Sequence, residues 1–320
     1  MKKHLKYFLF SYTLILLSSE IAAQSSLKYI ENFHTKTEET FYAPIFSNDG
    51  NFVFAAGNDG TLNKWSLKSE FPVKQKEISD KPLYAVALSS DGKYILIGGL
   101  SGTLYLCNAE SFEVVKQLDG FNNIQKITIA PNSEIAYIQT NGDCKLVNVL
   151  GLSIIGKNGY ASSFDAFFSS DSKLLYNMGK SEMSITNTSN AETTKFVSVK
   201  KNAINVVVTP DKSMMIVGVQ EGYKETTIIK IVNLDNGEIK NLVEMTKSGD
   251  YATPLCLVNG TNKMIYNCYD GIYTLDYNTF ETKKISGDFD GMEMKIAKTN
   301  KYAVALARGK NGIRLLEIKN

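Results

Sequence analysis

Read only for its apolar and polar positions, the chain repeats one short phrase. It is clearest over residues 84–111, YAVALSSDGKYILIGGLSGTLYLCNAES. An apolar run from Val86 to Leu88 meets a turn at Ser90-Asp91-Gly92. A second run, Tyr94 to Ile97, meets a turn at Leu100-Ser101-Gly102, and a third run, Leu104 to Cys107, follows. Short apolar runs separated by Asp-Gly and Ser-Gly turns predict antiparallel strands joined as a meander. Val114, Val115 and Leu118 supply a fourth strand. One such sheet is too small to bury both faces, so it requires neighbours of its own kind.

The first turn recurs along the chain. Matching positions are Asp49, Asp91, Asn132, Asp171, Asp211, Thr261 and Thr299, spaced 42, 41, 39, 40, 50 and 38 residues apart. Each is followed by an apolar second strand, from Phe52 to Ala56 in the first unit to Tyr302 to Leu306 in the last. A period near forty with four strands per unit predicts an all-β, seven-bladed propeller of four-stranded blades. The last unit stops after its third strand, while the N-terminal side carries an unassigned strand, Leu27 to Ile30. Pairing that strand beside Ile313 to Ile318 would complete the seventh blade and leave no open seam.

Third strands end on an apolar residue, or on threonine in the fourth copy, followed by a small polar or acidic one: Trp65-Ser66, Cys107-Asn108, Val147-Asn148, Thr186-Asn187, Val232-Asn233, Leu275-Asp276 and Leu316-Glu317. With that pattern and period, residues 24–320 resemble the WD40-like β-propellers as a single domain. The tryptophan-aspartate pair is intact in no copy, and Trp65 is the only tryptophan. The resemblance implies a rigid platform for another protein.

The N-terminus departs from the repeat. Lys2, Lys3 and Lys6 precede an apolar run from Tyr7 to Leu17, then Ala22, Ala23 and Gln24. This order predicts a signal peptide over residues 1–23 and export to the periplasm or exterior of a Gram-negative-type bacterium, with no membrane span after cleavage. Cleavage removes three lysines and Glu20 from a chain of formal charge +2, leaving it neutral. A neutral surface offers no electrostatic case for nucleic acid. A monomer is expected. In an oxidising compartment Cys256 and Cys268, flanking one predicted hairpin, are candidates for a disulfide.

Catalytic residue types are sparse. His34 is the only histidine outside the predicted signal, in a polar stretch that reads as a solvated loop. The Asp-Gly pairs at 49, 59, 91 and 270 are explained by turn chemistry. Aligning the units puts Lys126, Asp165, Asn205 and Glu293 at the start of innermost strands, near the mouth of the central channel. Asp165, Asn205 and Glu293 form an alternative calcium site, with Lys126 as counter-charge, which would suit a lactone or ester hydrolase or a glycan-acting enzyme. The expected cofactor is otherwise none.

Aromatics cluster in the loops leading into the innermost strands: Phe41, Tyr42, Tyr84, Phe121, Tyr160, Tyr251 and Phe289. The resemblance places these loops on one face with the second turns, including the lengthened hairpin around Tyr223. Aromatic side chains give large contact area at low entropy cost, so Tyr160, Tyr251, Phe289, Phe121 and Tyr223, with Lys126, form the candidate protein-binding face. Tyr42 and Tyr84 are equally suited to packing between blades.

Overall fold

A computed structural model describes residues 26–33, 40–158, 165–179, 181–198, 202–209, 214–221, 226–234, 238–244, 252–268, 271–286, 291–307 and 313–319. Its strands form seven four-stranded antiparallel sheets. Blades 1 to 6 span residues 41–77, 83–118, 124–158, 165–198, 202–244 and 252–286, each a simple meander from the innermost to the outermost strand. Blade 7 takes three strands from residues 291–319 and its fourth from Ser26–Phe33. That fourth strand runs antiparallel to Ile313–Lys319, with Leu27 opposite Ile318, Tyr29 opposite Leu316 and Phe33 opposite Ile313. The expected closing strand is therefore present, and it is longer at both ends than the sequence pattern indicated.

Apolar side chains on the two faces of each blade meet those of its neighbours, so the core is a series of seams rather than one centre. The seam between blades 1 and 2 holds Phe54, Leu62, Val86, Ile97 and Phe112; that between blades 2 and 3 holds Leu96, Leu104, Ile124, Ile127 and Ile138. At the closing seam, Trp65 is fully buried between Phe41, 5.0 Å away edge-on, and Phe33 of the closing strand at 5.8 Å, with Val304 and Ile313 beside them.

The first turns are built alike and are tied to one another. In blades 1, 2 and 4 a serine hydroxyl (Ser47, Ser89, Ser169) donates to the turn aspartate and accepts the backbone N–H five residues on. Hydrogen bonding by the serine is the main reason Asp49 and Asp91 are held below the usual carboxylate range. The fourth turn position has positive φ: Gly50 and Gly92 in blades 1 and 2, but Ser133 (+62°), Ser172 (+62°) and Asn300 (+56°) in blades 3, 4 and 7. Each of these three non-glycine side chains accepts a backbone N–H from the preceding blade: Ser133 from Ser90 at 2.8 Å, Ser172 from Asn132 at 3.0 Å and Asn300 from Asn259 at 2.9 Å. Left-handed strain is offset by a bond that only a side chain can make. Asn48 extends the belt, donating to Ser89 and Ser90 carbonyls and accepting from Lys298.

In blades 2, 3 and 6 the small polar residue at the end of the third strand has a matching local cause. Asn108 Oδ1 accepts from Glu110 and Ser111 backbone N–H groups, Asn148 Oδ1 from Gly151, and Asp276 Oδ1 from Asn278 and Thr279. These side chains cap the turn into the outer strand, which accounts for the preference for Asn or Asp there.

Candidate functional site

In a meander, first turns lie at one end of every blade, and second turns together with the inter-blade loops lie at the other. The loop face is fastened by backbone hydrogen bonds. Phe121 N–H donates to Gly102 at 3.0 Å, Ile78 N–H to Gly60 at 3.0 Å, Leu100 N–H to Pro82 at 2.9 Å and Asn141 N–H to Asn122 at 2.9 Å. Gly60 and Gly102 have φ of +80° and +72°, and a Cβ at either would fall 1.9 Å from the carbonyl oxygen of Ser79 or Phe121. Glycine is required there because each loop lies directly on the preceding second turn.

Phe121 is not part of an exposed aromatic rim. It is 7% exposed, packed with the seam between blades 2 and 3 beneath Lys145, whose Nζ sits 4.6 Å from the ring centroid. Lys145 is itself buried, bonded to Gly120 O at 3.1 Å and 3.5 Å from the Asp143 carboxylate. Nothing in the sequence signals this inward lysine, since a charge in a third strand ordinarily marks a solvated face. Tyr42 and Tyr84 pack edge-to-face at 5.1 Å across blades 1 and 2. Phe41 is buried against Trp65. Tyr160, Tyr223, Tyr251 and Phe289 lie outside the described residues.

At the channel mouth the innermost strands are bulged. The register slips between Leu83 and Ala85, between Ile124 and Lys126, between Ala203 and Asn205, and between Pro254 and Cys256, with wider irregularities in blades 1 and 7. A bulge re-aims the side chain that follows it. Lys126 and Asp165, on adjacent blades, meet in an ion pair, their side chains 30% and 20% exposed. Asp165 also accepts its neighbour's N–H, from Ala166, at 2.9 Å. Two of the four residues expected at this position are thus brought together. Asn205 pairs with Gly218 in the ladder and Glu293 falls within an irregularity, but their side chains are outside the described residues.

This arrangement does not fit a calcium site, because a cation at Asp165 would have to displace the Lys126 ammonium. No group of three His, Cys, Asp or Glu among the described residues is placed to hold a metal.

The expected Cys256–Cys268 bridge is ruled out by register. Cys256 stands opposite Ile265 and Cys268 opposite Ala252. Three ladder positions, about 10 Å, separate the two, beyond the Cα spacing a disulfide spans. Cys256, Cys107 and Cys144 are free thiols, and burial pushes them up to about 12, about 12 and about 11 respectively. Among the described residues no helix is long and apolar enough to cross a membrane.

Comparison with known proteins agrees with this geometry. The family model "WD domain, G-beta repeat" matches residues 38–66, which cover the first three strands of blade 1 and end on Trp65-Ser66. The crystal structure of the Myceliophteria thermophila Cps50 (Swd1) β-propeller domain superposes with a TM-score of 0.72 and 11% identity, covering 92% of this chain and 100% of that one. At that identity the likeness is one of fold alone. No curated protein sequence matches the chain.

Proposed function

We propose that this WD40-like seven-bladed propeller is an exported, non-catalytic scaffold that holds another protein against its loop face. The observation that carries the reading is the fastening of that face. Loops bonded to the preceding second turn at Gly60 and Gly102 are pre-organised, so a partner that binds them loses little entropy in ordering them. WD40 propellers commonly serve as interaction platforms, which supports the same reading. With Phe121 buried, the contact set narrows to Tyr160, Tyr223, Tyr251 and Phe289. Export is supported by the residue order Lys2 to Gln24, a basic start, an apolar run and small residues before the inferred cleavage after Ala23.

Two measurements test this. Affinity capture with the wild-type chain should recover a partner that is lost with the Tyr160→Ala, Tyr251→Ala, Phe289→Ala triple variant; retention by a folded triple variant would reject this face. N-terminal sequencing of protein from the periplasmic or secreted fraction should begin at Gln24, and an intact Met1 in that fraction would reject cleavage.

A further inference from the structure

The seam between blades 3 and 4 is joined by polar contacts from the channel outward. Lys126 meets Asp165 at the channel, Thr128 Oγ1 donates to Ala166 O at 3.3 Å beside it, and Asn132 N–H donates to Ser172 at the first turns. Between these points lie four polar side chains with no exposure: Tyr137 and Cys144 from blade 3, Asn177 and Ser184 from blade 4. The Tyr137 hydroxyl donates to Cys144 Sγ at 2.8 Å and reaches Asn177 Oδ1 at 3.4 Å. Among the described residues, Asn177 Nδ2 and Ser184 Oγ have no hydrogen-bond partner. They stand directly opposite each other in the ladder, so both face blade 3. Leaving two buried polar atoms unpaired costs more than an ordinary hydrogen bond contributes, so the pair calls for a ligand.

The repeat shows what makes this seam different. The ladder position of Ser184 is held by Tyr105, Lys145, Lys230, Tyr273 and Arg314 in blades 2, 3, 5, 6 and 7. Tyr105 and Tyr273 pack into the seam with the preceding blade, and Lys145 crosses it to Gly120 O. Ser184 is the shortest side chain of the set and ends before the region that a tyrosine or lysine reaches. Blade 1 repeats the effect: its residue there is Asn63, opposite Ala55, fully buried and with Oδ1 unpartnered. Where a short polar residue replaces a long one, an orphaned atom results.

The two atoms set the chemistry of the ligand. An amide N–H demands an acceptor, which excludes a metal cation. An anion would accept, but Lys126 is already paired with Asp165, and a buried charge without a counter-charge costs far more than two hydrogen bonds return. A small neutral molecule that both accepts and donates remains. We propose that the seam between blades 3 and 4 holds one ordered water molecule, which accepts from Asn177 Nδ2 and bonds Ser184 Oγ. Opposed side chains in an antiparallel pair have Cβ atoms about 5 Å apart, so one water about 3 Å from each polar atom spans them. Two partners meet the minimum for a buried water. The site lies within the ring and does not depend on the loop face.

The test joins crystallography of the whole chain, grown in sodium bromide, to urea titration of Ser184→Ala. Electron density should show a solvent peak within about 3.2 Å of both Asn177 Nδ2 and Ser184 Oγ, with no anomalous signal from bromide. Ser184→Ala should unfold at a lower urea midpoint with an unchanged slope, because it removes one of the two groups that hold the water. A hydroxyl that bonds nothing would give the opposite result, since deleting it relieves a desolvation cost and raises the midpoint. The proposal is overturned by a seam without a solvent peak where other buried waters are visible, or by Asn177 Nδ2 bonded directly to Ser184 Oγ. A bromide peak at the site, or a midpoint that is unchanged or raised in Ser184→Ala, would also overturn it.

Discussion

Ser172 offers a direct measure of how the blades are joined. The residue is 3% exposed, has φ of +62° and accepts the Asn132 N–H at 3.0 Å. Replacing it with alanine removes the bond and keeps the unfavourable backbone, a loss of about 1 to 2 kcal/mol. Glycine removes the same bond but relieves about 1 to 2 kcal/mol of left-handed strain, of which about 0.5 to 1 kcal/mol is returned as extra freedom in the unfolded chain. Ser172→Gly should therefore be more stable than Ser172→Ala by about 0.5 to 1 kcal/mol, the reverse of their order at an ordinary strand position. Ser133, with the same φ and a 2.8 Å bond from Ser90, should show the same inversion. Urea titration followed by circular dichroism, with a common slope for all variants, reads the difference as a shift in midpoint. If glycine is the more damaging substitution at both sites, the turns are not strained and the inter-blade bond does not offset anything.

Other expectations follow from the site and the buried groups. Millimolar calcium should leave the melting temperature unchanged, since Lys126 already neutralises Asp165; a rise that disappears in Asp165→Ala would refute that. Cys107 and Cys144 should resist iodoacetamide in the folded protein at pH 8 and react once urea unfolds it, because burial holds both thiols protonated; modification at native rates equal to a free thiol would contradict the structure. Their folded values lie above the unfolded ones, so the stability they contribute is complete below pH about 9 and is lost as pH rises toward about 11 to 12, visible as a falling urea midpoint. Asp49 and Asp91 act in the opposite direction. Their depressed values add stability above the ordinary aspartate range that is lost as pH falls through it, so Asp91→Asn should flatten the acid limb of the stability curve.

Most of the architecture could be read from the residues. Turn chemistry at Asp49, Asp91 and Asp171 and the apolar runs after them are local signals, and a missing outer strand at one end matched a surplus strand at the other. What could not be read depended on contacts between blades or on register. Phe121 looks like any loop aromatic until the Gly102 turn and Lys145 close over it. Cys256 and Cys268 flank the hairpin, but its turn closes from Val258 to Lys263, so the pairing is centred ahead of their midpoint and Cys256 meets Ile265 while Cys268 meets Ala252; composition does not mark where a turn is centred. The Lys126–Asp165 pair was half legible: alignment of the repeats put both at one position, while their pairing across a seam required the strands in place.

Trp65 sits where the ends of the chain meet, with Phe33 from the first strand on one side and Ile313 from the last nearby. Because it is the sole indole in the protein, its emission reports on one joint and on nothing else. A red shift that precedes the loss of β-structure would mean the circle opens at its clasp before any wedge comes apart. Simultaneous change would mean the clasp is as strong as the wedges it holds. The unaltered protein thus carries its own gauge of how it opens, with no dye attached.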